Sequence, residues 1–372
     1  MTPSRTTRIL LSVASGLLFV VVVAGLRVGM AYWSIDRDEF DPDAARDRID
    51  AAGADVSRGG ESDADGTGSD SDPPFLADLD FEIADDGLSP EKPDAGETVV
   101  LPDMSSPPLP DGMFTAYTLI GADLSGYLAD TIILVLLPSD GSVPILASLP
   151  RDLYLPTPCG GSYSRINSTL GGCKGVASGP ELLSLTIEDF TGISVDHFAM
   201  VGFSGFTQII DVLGGVQVCV DYPTRDIKAG LDIEAGCTQA DGATTLAWVR
   251  SRQPEQLVDG EWGRVTGASD FSRQSHQHDV LMQLFSRMTS FGSLTSLGEV
   301  AQQVASSTRL DSAFSIGDAV SLAWSYRNVD SSSLKIVRLS YEDYRTADGA
   351  QVLLPSIKFA EALAKVYPAV SG

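Results

Sequence analysis

The sequence predicts the α/β fold class, with a three-layer α-β-α domain built on a mixed central sheet and preceded by one transmembrane helix and a disordered linker. Three observations predict this arrangement. Apolar β-prone runs alternate with amphipathic helical stretches after residue 112, which is typical of a sheet covered by helices. An uncharged apolar run lies near the N-terminus, and a long acidic tract separates it from the alternating region.

The N-terminal apolar run, residues 9–26, contains 18 residues without a charge, about the length that a helix needs to cross a bilayer. We predict a cytoplasmic N-terminus at residues 1–8 and a signal anchor at residues 9–33. Arg5 and Arg8 precede the run, so the positive-inside rule predicts a single-pass cell-membrane protein with an extracellular domain. A cleaved signal peptide fits less well, because its apolar core is shorter and is followed by a small-residue cleavage site.

Residues 34–112 are predicted to be a disordered acidic linker. This stretch holds 23 of the 50 acidic residues of the 372-residue chain and 5 of its 25 basic residues. It is rich in Asp, Gly, Ser and Pro, with few large apolar side chains, which is typical of a self-repelling spacer. An acidic interaction tail is the alternative. The net charge of −25 argues against a nucleic-acid partner.

The folded region, residues 113–367, is predicted to begin with three strands. Residues 115–120, 131–137 and 143–149 are apolar, β-prone runs separated by turn residues. Continuous apolar runs of this kind are typical of strands that are buried on both faces.

Helices and strands are then predicted in alternation. Apolar side chains at helical spacing predict helices at residues 180–190 and 204–213, and β-prone runs predict strands at residues 195–201 and 216–220. Residues 270–288 are the longest amphipathic helix candidate. Helical and strand-like runs continue from there to the C-terminus.

The four cysteines of an exported chain are expected to form two disulfides. Proximity along the chain favours Cys159 with Cys173 and Cys219 with Cys237, although spacing alone leaves three pairings open. A structural zinc site is the competing interpretation, but the sequence contains no Cys-x-x-Cys pair.

Several enzyme classes are excluded by missing motifs. The histidines are His197, His276 and His278, and the sequence contains no H-E-x-x-H, no P-loop, no G-x-G-x-x-G and no G-x-S-x-G. Zinc protease, P-loop, dinucleotide-binding and α/β-hydrolase functions are therefore not expected.

Aspartate and arginine residues near the predicted strand ends carry the functional prediction. Carboxylates can hold Mg²⁺ through oxygen ligands, and guanidinium groups bind phosphate oxygens through paired hydrogen bonds. Together they favour a phosphate-rich substrate. The set comprises Asp123, Asp130, Arg151, Asp152, Arg165, Arg250, Arg252, Arg273 and Gln277.

Each of these residues also has a structural alternative. Asp123 or Asp130 would often cap a turn, and Arg151 with Asp152 would form a surface ion pair. Arg250 and Arg252 are two positions apart, so they converge only if a helix ends or bends there. A structural role is likewise favoured over general-base catalysis for His197.

The ordered motifs GADLSGYLADTIIL, SLPRDLYLP, SRIN, GISVDHFAMVGFSGFTQIIDVLGGVQVCV, LAWVRSR and DFSRQSHQHDVL resemble the LytR-CpsA-Psr family of cell-envelope proteins. They cover roughly residues 115–290 and match in order. The excess of arginine over lysine and the expected disulfides are typical of an actinobacterial member.

This resemblance implies a Mg²⁺-dependent phosphotransferase. Such an enzyme moves a glycopolymer from a polyprenyl-diphosphate carrier to peptidoglycan, forms a phosphodiester and releases polyprenyl phosphate. Asp123 and Asp130 match the aspartates at the metal and the diphosphate. The residues that match the family's phosphate-binding arginines are Arg151, Arg250, Arg252 and Arg273. Gln277 matches the family's glutamine, one helical turn after the last of these arginines. Arg165 stands where the family usually has a lysine. Asp152 and Asp130 are candidates for taking the proton of the acceptor hydroxyl.

The sequence departs from the family pattern at several positions. Leu124 and Ala129 stand near places where the family often has arginines, and His276 replaces another arginine. We hypothesise that Arg264, in a long loop, supplies a missing cation. The family also encloses the prenyl chain in an apolar tunnel, for which Phe203, Phe206, Ile209 and Ile210 are candidates, with ordinary core packing as the alternative.

Two other functions remain open at this stage. A lipid-diphosphate hydrolase would use the same residues with water as the acceptor. A catalytically silent envelope-binding or regulatory protein would keep the groove and bind the lipid-linked donor without consuming it.

Overall fold

The computed structural model describes residues 35–58, 101–265, 308–315 and 333–371, with isolated positions between 276 and 329. No helix within these residues is long and apolar enough to cross a membrane. The signal anchor predicted at residues 9–33 lies outside the described residues.

Strands are the most numerous regular elements in the described residues. They are β1 (Asp36–Asp38), β2 (Phe114–Ala122), β3 (Ala129–Pro138), β4 (Ile145–Leu149), β5 (Tyr154–Pro156), β6 (Tyr163–Arg165), β7 (His197–Val201), β8 (Val216–Val220), β9 (Thr224–Asp226), β10 (Leu231–Ile233), β11 (Gly236–Ala240), β12 (Glu255–Val258), β13 (Glu261–Arg264), β14 (Thr308–Asp311), β15 (Lys335–Val337), β16 (Tyr341–Arg345) and β17 (Gln351–Pro355). The α-helices are α1 (Pro42–Arg58), α2 (Gly179–Thr191), α3 (Phe203–Val212), α4 (Gly242–Arg250) and α5 (Phe359–Val366), with 3₁₀ helices at Ile166–Gly171 and Pro368–Ser371.

A seven-stranded mixed sheet lies at the centre of the described part of the chain, in the order β1-β14-β7-β2-β3-β4-β15. The pairs β1/β14, β7/β2 and β4/β15 are parallel, and the other neighbours are antiparallel. The predicted α/β class with a mixed central sheet is confirmed, and the strands and helices predicted between residues 115 and 220 are present.

Helices α2 and α5 pack on one face of this sheet and form the main core with it. Leu183, Ile187 and Phe190 of α2 and Phe359 of α5 belong to one buried cluster with the sheet residues. Helix α2 begins at a capping box in which Ser178 and Glu181 hydrogen-bond to each other's backbone N–H groups. A second core joins α3 and α4 to the small sheets that follow. The predicted third layer involves residues 270–288, of which the described positions are helical, and it stays a prediction.

The prediction of a disordered linker over residues 34–112 is wrong at both ends. Strand β1 pairs with β14, and helix α1 packs on α2 through Arg46, which lies 2.8 Å from Asp189, and Arg48, which lies 3.2 Å from Glu181. Residues 101–112 also pack against the main core. Composition misled here because α1 is held to a distant segment by ion pairs and by the small apolar contact of Ala45 and Ile49, which leave little apolar signal in the sequence. Residues 59–100 lie outside the described residues.

Both disulfides favoured by chain proximity are present, Cys159 with Cys173 and Cys219 with Cys237. Cys219 and Cys237 lie directly opposite each other on the antiparallel strands β8 and β11. The competing zinc interpretation is therefore wrong.

The segment expected to be a long loop, residues 253–268, contains the β12/β13 hairpin. The hairpin joins β9, where the Arg225 guanidinium lies 2.8 Å from Glu255 and 4.0 Å from the centre of the Trp262 ring. Its turn contains Asp259 and Gly260, both with positive φ angles, which a two-residue hairpin turn requires.

Docking of α1 yields a stability prediction. Ala45 is fully buried against α2, whereas Ala52, on the same helix, is exposed. Ala45→Glu would bury an unpaired charge, and we expect it to weaken docking by about 2–4 kcal/mol. Limited trypsin digestion should then cleave after Arg46 and Arg48 faster in Ala45→Glu than in the matched control Ala52→Glu. Equal cleavage rates in the two variants would contradict the docking of α1.

Candidate functional site

A cleft of about 480 Å³ lies at one edge of the central sheet, where β2, β3 and β7 meet helices α3 and α4. Gly121, Thr131 and Val201 form its sheet side, and Phe203 and Phe206 contribute the side of α3. Strands β2 and β7 run in parallel, so both end at this edge. Loops that follow strand ends can therefore contribute polar groups to one site.

Asp130 reaches the cleft because β3 carries a bulge. Gly121 pairs with Thr131 and Ala122 pairs with Ala129, which leaves Asp130 as an extra residue without a partner on β2. A bulge interrupts the alternation of side chains between the two faces of a strand. Asp130 and Thr131 are consecutive, yet both line the cleft.

A chain of alternating charges extends from Asp130 away from the cleft. The Nη1 atom of Arg151 lies 2.5 Å from Oδ1 of Asp130, and its Nε donates a hydrogen bond of 3.4 Å to Asp152. Arg165 lies 3.6 Å from Asp152 and donates a hydrogen bond to the carbonyl of Gln351. The four charged side chains predicted separately in SLPRD, SRIN and β3 are thus in contact. Of these, Asp130 and Arg151 line the cleft, whereas Asp152 and Arg165 are not among its lining residues and contact it through Arg151.

Arg250 and Arg252 converge on the cleft because the helix ends between them, which is the condition that their spacing in the sequence required. Helix α4 ends at Arg250, and Ser251 has extended backbone angles, so the chain turns between the two arginines. Both side chains line the cleft. The Arg250 guanidinium also lies over the Phe203 ring, 4.4 Å from its centre, which is a cation–π contact.

Asp226, a residue not singled out from the sequence, fixes the turn that carries Arg252. Its Oδ2 accepts hydrogen bonds from Ser251 Oγ and from the backbone N–H groups of Arg252 and Gln253, at 2.8 to 3.0 Å. Its Oδ1 accepts from the N–H groups of Lys228 and Ala229. Burial acts to raise the pKa of Asp226, but these hydrogen bonds outweigh it, and the pKa lies below its ordinary value of 3.8. One buried carboxylate therefore shapes two loops of the cleft.

Lys228 supplies a cation that the sequence did not reveal. It follows β9, is exposed and lines the cleft. Arg264, hypothesised to fill this role, lies on the exposed strand β13 and is not part of the cleft lining. No local motif distinguishes Lys228, because its position depends on the fold of the small sheet.

Asp123 directly follows β2, in the loop that joins β2 to β3, and it is not among the residues that line the cleft. Its Oδ1 accepts hydrogen bonds from the N–H groups of Ser125, Gly126 and Leu128 and from Ser125 Oγ, at 2.7 to 3.3 Å. This oxygen of Asp123 therefore caps the turn, as the structural alternative predicted. A role of Asp123 as metal ligand rests on its other oxygen, Oδ2.

Arg273 and Gln277 lie outside the described residues. His276, which is described, stacks on Trp248 with a ring separation of 3.8 Å, and burial lowers its pKa. Burial thus disfavours the charged form of His276, which makes it a poor substitute for the arginine that the family motif has at this position. His197 pairs with the buried Asp311 at 3.1 Å. It begins β7, whereas the cleft lies at the other end of that strand, which agrees with a structural role.

Of the residues predicted to line a prenyl-binding tunnel, some lie in the second core and others line the cleft. Ile210 is fully buried in the second core, as ordinary packing predicts. Phe203 and Phe206 line the cleft and give its inner wall an apolar surface. Ile209 is half-buried on the same helix.

The described carboxylates do not form a metal cage on their own, since no group of three potential ligands occurs among the described residues. Asp123 and Asp130 flank the closing pair of the β2/β3 hairpin and are hard oxygen donors. Mg²⁺ in phosphate-binding sites often takes one or two carboxylates and completes its shell with substrate oxygens and water. The two aspartates fit that kind of site.

Comparison with known proteins agrees with this architecture. A model of the LytR_cpsA_psr family matches residues 119–366. The chain is 36% identical over 174 residues to the probable cell wall biosynthesis protein LcpB of Corynebacterium glutamicum, a match that covers 47% of this chain and 37% of LcpB. It is 28% identical over 185 residues to the polyisoprenyl-teichoic acid–peptidoglycan teichoic acid transferase TagU of Oceanobacillus iheyensis, covering 49% of this chain and 53% of TagU. The chain thus spans about two fifths to one half of these relatives' lengths.

Solved structures have the same fold. The LytR-Csp2A-Psr enzyme from Actinomyces oris superposes with a TM-score of 0.59 at 26% identity, covering 72% of this chain and 94% of that one. TagV of Bacillus subtilis superposes with a TM-score of 0.55 at 21% identity, covering 69% and 96%. Because the family model also matches more than half of the sequence, the chain belongs to the LytR_cpsA_psr family.

Proposed function

We propose that this protein is a membrane-anchored, Mg²⁺-dependent phosphotransferase that moves a glycopolymer from a polyprenyl-diphosphate carrier to peptidoglycan. The observation that carries the proposal is the convergence of Arg151, Arg250, Arg252 and Lys228 on one cleft with apolar walls. Such a site matches a ligand that joins a diphosphate to a lipid chain. The name of the relative TagU, a polyisoprenyl-teichoic acid–peptidoglycan transferase, supports the same chemistry.

In this proposal the cations neutralise the diphosphate and stabilise the charge that develops during transfer. Arg151 is fixed by Asp130 and Asp152, so it needs little reorganisation when the substrate binds. Arg250 and Arg252 approach from the opposite wall. Phe203 and Phe206 are suited to contact the first isoprene units of the carrier.

The acceptor hydroxyl oxygen attacks the phosphorus that bears the sugar. The bond from this phosphorus to the bridging oxygen breaks, and polyprenyl phosphate leaves with the bond's electrons. Asp226 and Asp130 are the carboxylates in the described lining, and both oxygens of Asp226 are already bonded by the protein. The hydroxyl proton passes in this proposal to a non-bridging phosphate oxygen of the donor, because Asp130 is held by Arg151 and would also hold Mg²⁺, which makes it a poor base. A weak base suffices, because phosphoryl transfer has a loose transition state.

Asp123 and Asp130 are the residues that would hold Mg²⁺ together with the diphosphate oxygens. When bound, Mg²⁺ supplies additional positive charge to the leaving phosphate. Arg273 and Gln277 stay in the proposal as substrate-binding residues by their match to the family motifs. The cell-membrane location, with the N-terminus cytoplasmic and the domain outside, rests on the apolar run at residues 9–26.

The central test concerns Arg151. Arg151→Ala should lower turnover of a polyprenyl-diphosphate oligosaccharide by at least about 100-fold, because a fixed charge is lost at the reacting phosphate. Arg151→Lys should recover only part of this activity, since lysine lacks the planar fork. Arg264→Ala, outside the cleft, serves as the control with unchanged turnover. Mass spectrometry of peptidoglycan fragments and released polyprenyl phosphate provides the measurement.

The product of the wild-type protein distinguishes the candidate activities. A phosphodiester on the glycan fragment supports the transferase. Released sugar phosphate without such a link indicates hydrolysis and would refute the transfer step. A donor that is bound but left intact, with Mg²⁺ and the fragments present, would refute catalysis altogether.

Asp226 provides a test of how the cleft is positioned. Asp226→Asn should raise KM for the donor by about tenfold and change kcat less, because the turn that carries Arg252 loosens. The exposed Asp232 on β10 is the control, and Asp232→Asn should leave both constants unchanged. An unchanged KM in Asp226→Asn would show that the hydrogen bonds from Asp226 to the Arg252 turn do not matter for donor binding.

The same carboxylate predicts a pH effect on stability. The pKa of Asp226 is lower in the folded protein than its ordinary value of 3.8. The ionised carboxylate therefore stabilises the fold fully at pH values above 3.8. This contribution is lost as the pH falls through the lowered pKa. Thermal unfolding between pH 5 and 2 should therefore show a shallower loss of Tm in Asp226→Asn than in the wild type. Parallel curves for the two proteins would contradict this linkage.

Metal binding can be tested without turnover. We expect Mg²⁺ to raise the Tm of the protein in the presence of geranylgeranyl diphosphate, and EDTA to reverse the change, because the lipid diphosphate completes the metal's ligands. Asp123→Asn should reduce the Mg²⁺ response while keeping an acceptor oxygen for the β2/β3 loop. Asp232→Asn is again the control. A Mg²⁺ response of wild-type size in Asp123→Asn would exclude this aspartate as a ligand.

A further inference from the structure

Large apolar side chains are exposed on two loops that border the cleft. In the β2/β3 loop, Leu124 is 86% exposed and Tyr127 is 67% exposed, with Leu128 beside them. Ile227, between the cleft residues Asp226 and Lys228, is 80% exposed. Single exposed apolar residues are common on soluble proteins, but a group around one opening indicates an interaction surface.

The β2/β3 loop presents these side chains in a fixed backbone conformation. Asp123 accepts hydrogen bonds from three N–H groups of the loop, and Gly126 takes a positive φ of 75° that closes the turn. The loop is therefore ordered before it meets a partner. Burying Leu124 and Tyr127 against another surface would cost little backbone entropy.

The direction of the strands places the N-terminal end of the domain at the same edge. Gly121, which lines the cleft, pairs with Val201 of β7, and Val201 pairs with Thr308 of β14. Asp36 of β1 pairs with Arg309, the next residue of β14. Three strand spacings separate β1 from β2, so Asp36 lies roughly 15 Å to the side of Gly121 and at nearly the same height.

This geometry bears on the anchoring proposed above. The predicted span ends at residue 33, and β1 begins at Asp36. The three Cα–Cα steps from residue 33 to Asp36 reach at most about 11 Å, so the chain cannot carry the domain far from the bilayer. The edge of the sheet that holds the cleft is therefore the edge nearest the membrane.

We propose that Leu124, Tyr127, Leu128 and Ile227 form a membrane-contact rim, which inserts into the interfacial region of the bilayer and seats the cleft at the level of the headgroups. Leucine and isoleucine side chains gain from leaving water at this depth, and tyrosine is enriched there. Lys228, beside Ile227, is placed to meet anionic headgroups. This inference rests on the proposed anchoring and not on catalysis.

The rim has a consequence for the proposed reaction. The diphosphate of a polyprenyl carrier lies at the headgroup level while its chain stays in the bilayer. With the cleft held there, Arg151, Arg250 and Arg252 meet the diphosphate at the membrane surface, and the carrier enters the cleft without crossing bulk water. The rim thus determines how the donor is presented, whereas the cleft determines what is done to it.

The test uses the full chain in vesicles of phosphatidylethanolamine and phosphatidylglycerol. An environment-sensitive fluorophore is attached to a cysteine introduced by Leu124→Cys or, as the matched control, Ser139→Cys. Ser139 is also exposed on a hairpin of the same sheet, but at the opposite edge. The four native cysteines are in disulfides and do not compete for the label. Quenching by lipids brominated near the headgroup is measured without any polyprenyl donor.

We expect the probe at position 124 to lose more than about half of its emission and to shift to the blue, because interfacial insertion brings it among the brominated chains. The probe at position 139 should respond as it does in buffer. Equal responses at the two positions would overturn the rim, as would a chain that does not float with the vesicles. If a brominated prenyl diphosphate quenches the probe at position 124 and brominated bilayer lipids do not, the surface binds the carrier lipid and not the bilayer. That result would also overturn the proposal.

A second measurement separates this inference from the proposed activity. The double variant Leu124→Ser, Tyr127→Ser should lower turnover of a donor embedded in vesicles by about tenfold, because the cleft is seated less often at the membrane, and leave turnover of a short-chain, water-soluble donor unchanged. Equal loss on both donors would indicate a damaged site and refute the rim. Should the protein prove inactive on every donor, the quenching result still decides whether the rim contacts the bilayer.

Discussion

The ion pair between Asp130 and Arg151 is the contact on which the geometry of the cleft depends. Asp130 can make it only because the bulge in β3 turns two consecutive side chains toward the same opening. Without this carboxylate, several cations would face one another across a cleft of about 480 Å³, and their repulsion would oppose the closed packing of the walls. Asp226 has the same function on the other wall, where it binds N–H groups instead of a guanidinium. Both carboxylates fix the position of positive charge.

The two walls hold their arginines in different ways. Arg151 is held by two carboxylates, and Asp152 is itself tied to Arg165, so the guanidinium is oriented before any ligand arrives. Arg250 is exposed and rests on the Phe203 ring, a contact that tolerates rotation. A fixed cation is suited to stabilise charge in a transition state, whereas an adjustable one is suited to accept substrates of varied shape. This division fits the proposed transferase, in which the diphosphate reacts and the polymer extends from it.

The sequence alone predicted features that depend on local patterns. The strands from residue 115 to 220 followed from periodicity, and the grouping of Asp130, Arg151, Arg250 and Arg252 followed from family motifs. Chain proximity favoured the two disulfide pairings but left the other connectivities open. The bulge at Asp130 and the roles of Asp226 and Lys228 depend on contacts between distant segments, and no local pattern encodes them. The ends of the acidic segment were misjudged for the same reason, because Arg46 and Arg48 find their acidic partners more than 130 residues away.

The N-terminal strand β1 covers the edge of the central sheet. Without β1, strand β14 would be an edge strand with unpaired backbone groups, which is a template for unwanted association. Strand β1 pairs with it in parallel, and Arg309 lies 2.6 Å from Asp38 across the pair, so the new edge is short and charged. The same pairing fixes where the chain leaves the sheet toward its N-terminus. One short strand therefore both closes the edge and determines which side of the domain faces the predicted anchor, and that side is the one on which the cleft opens.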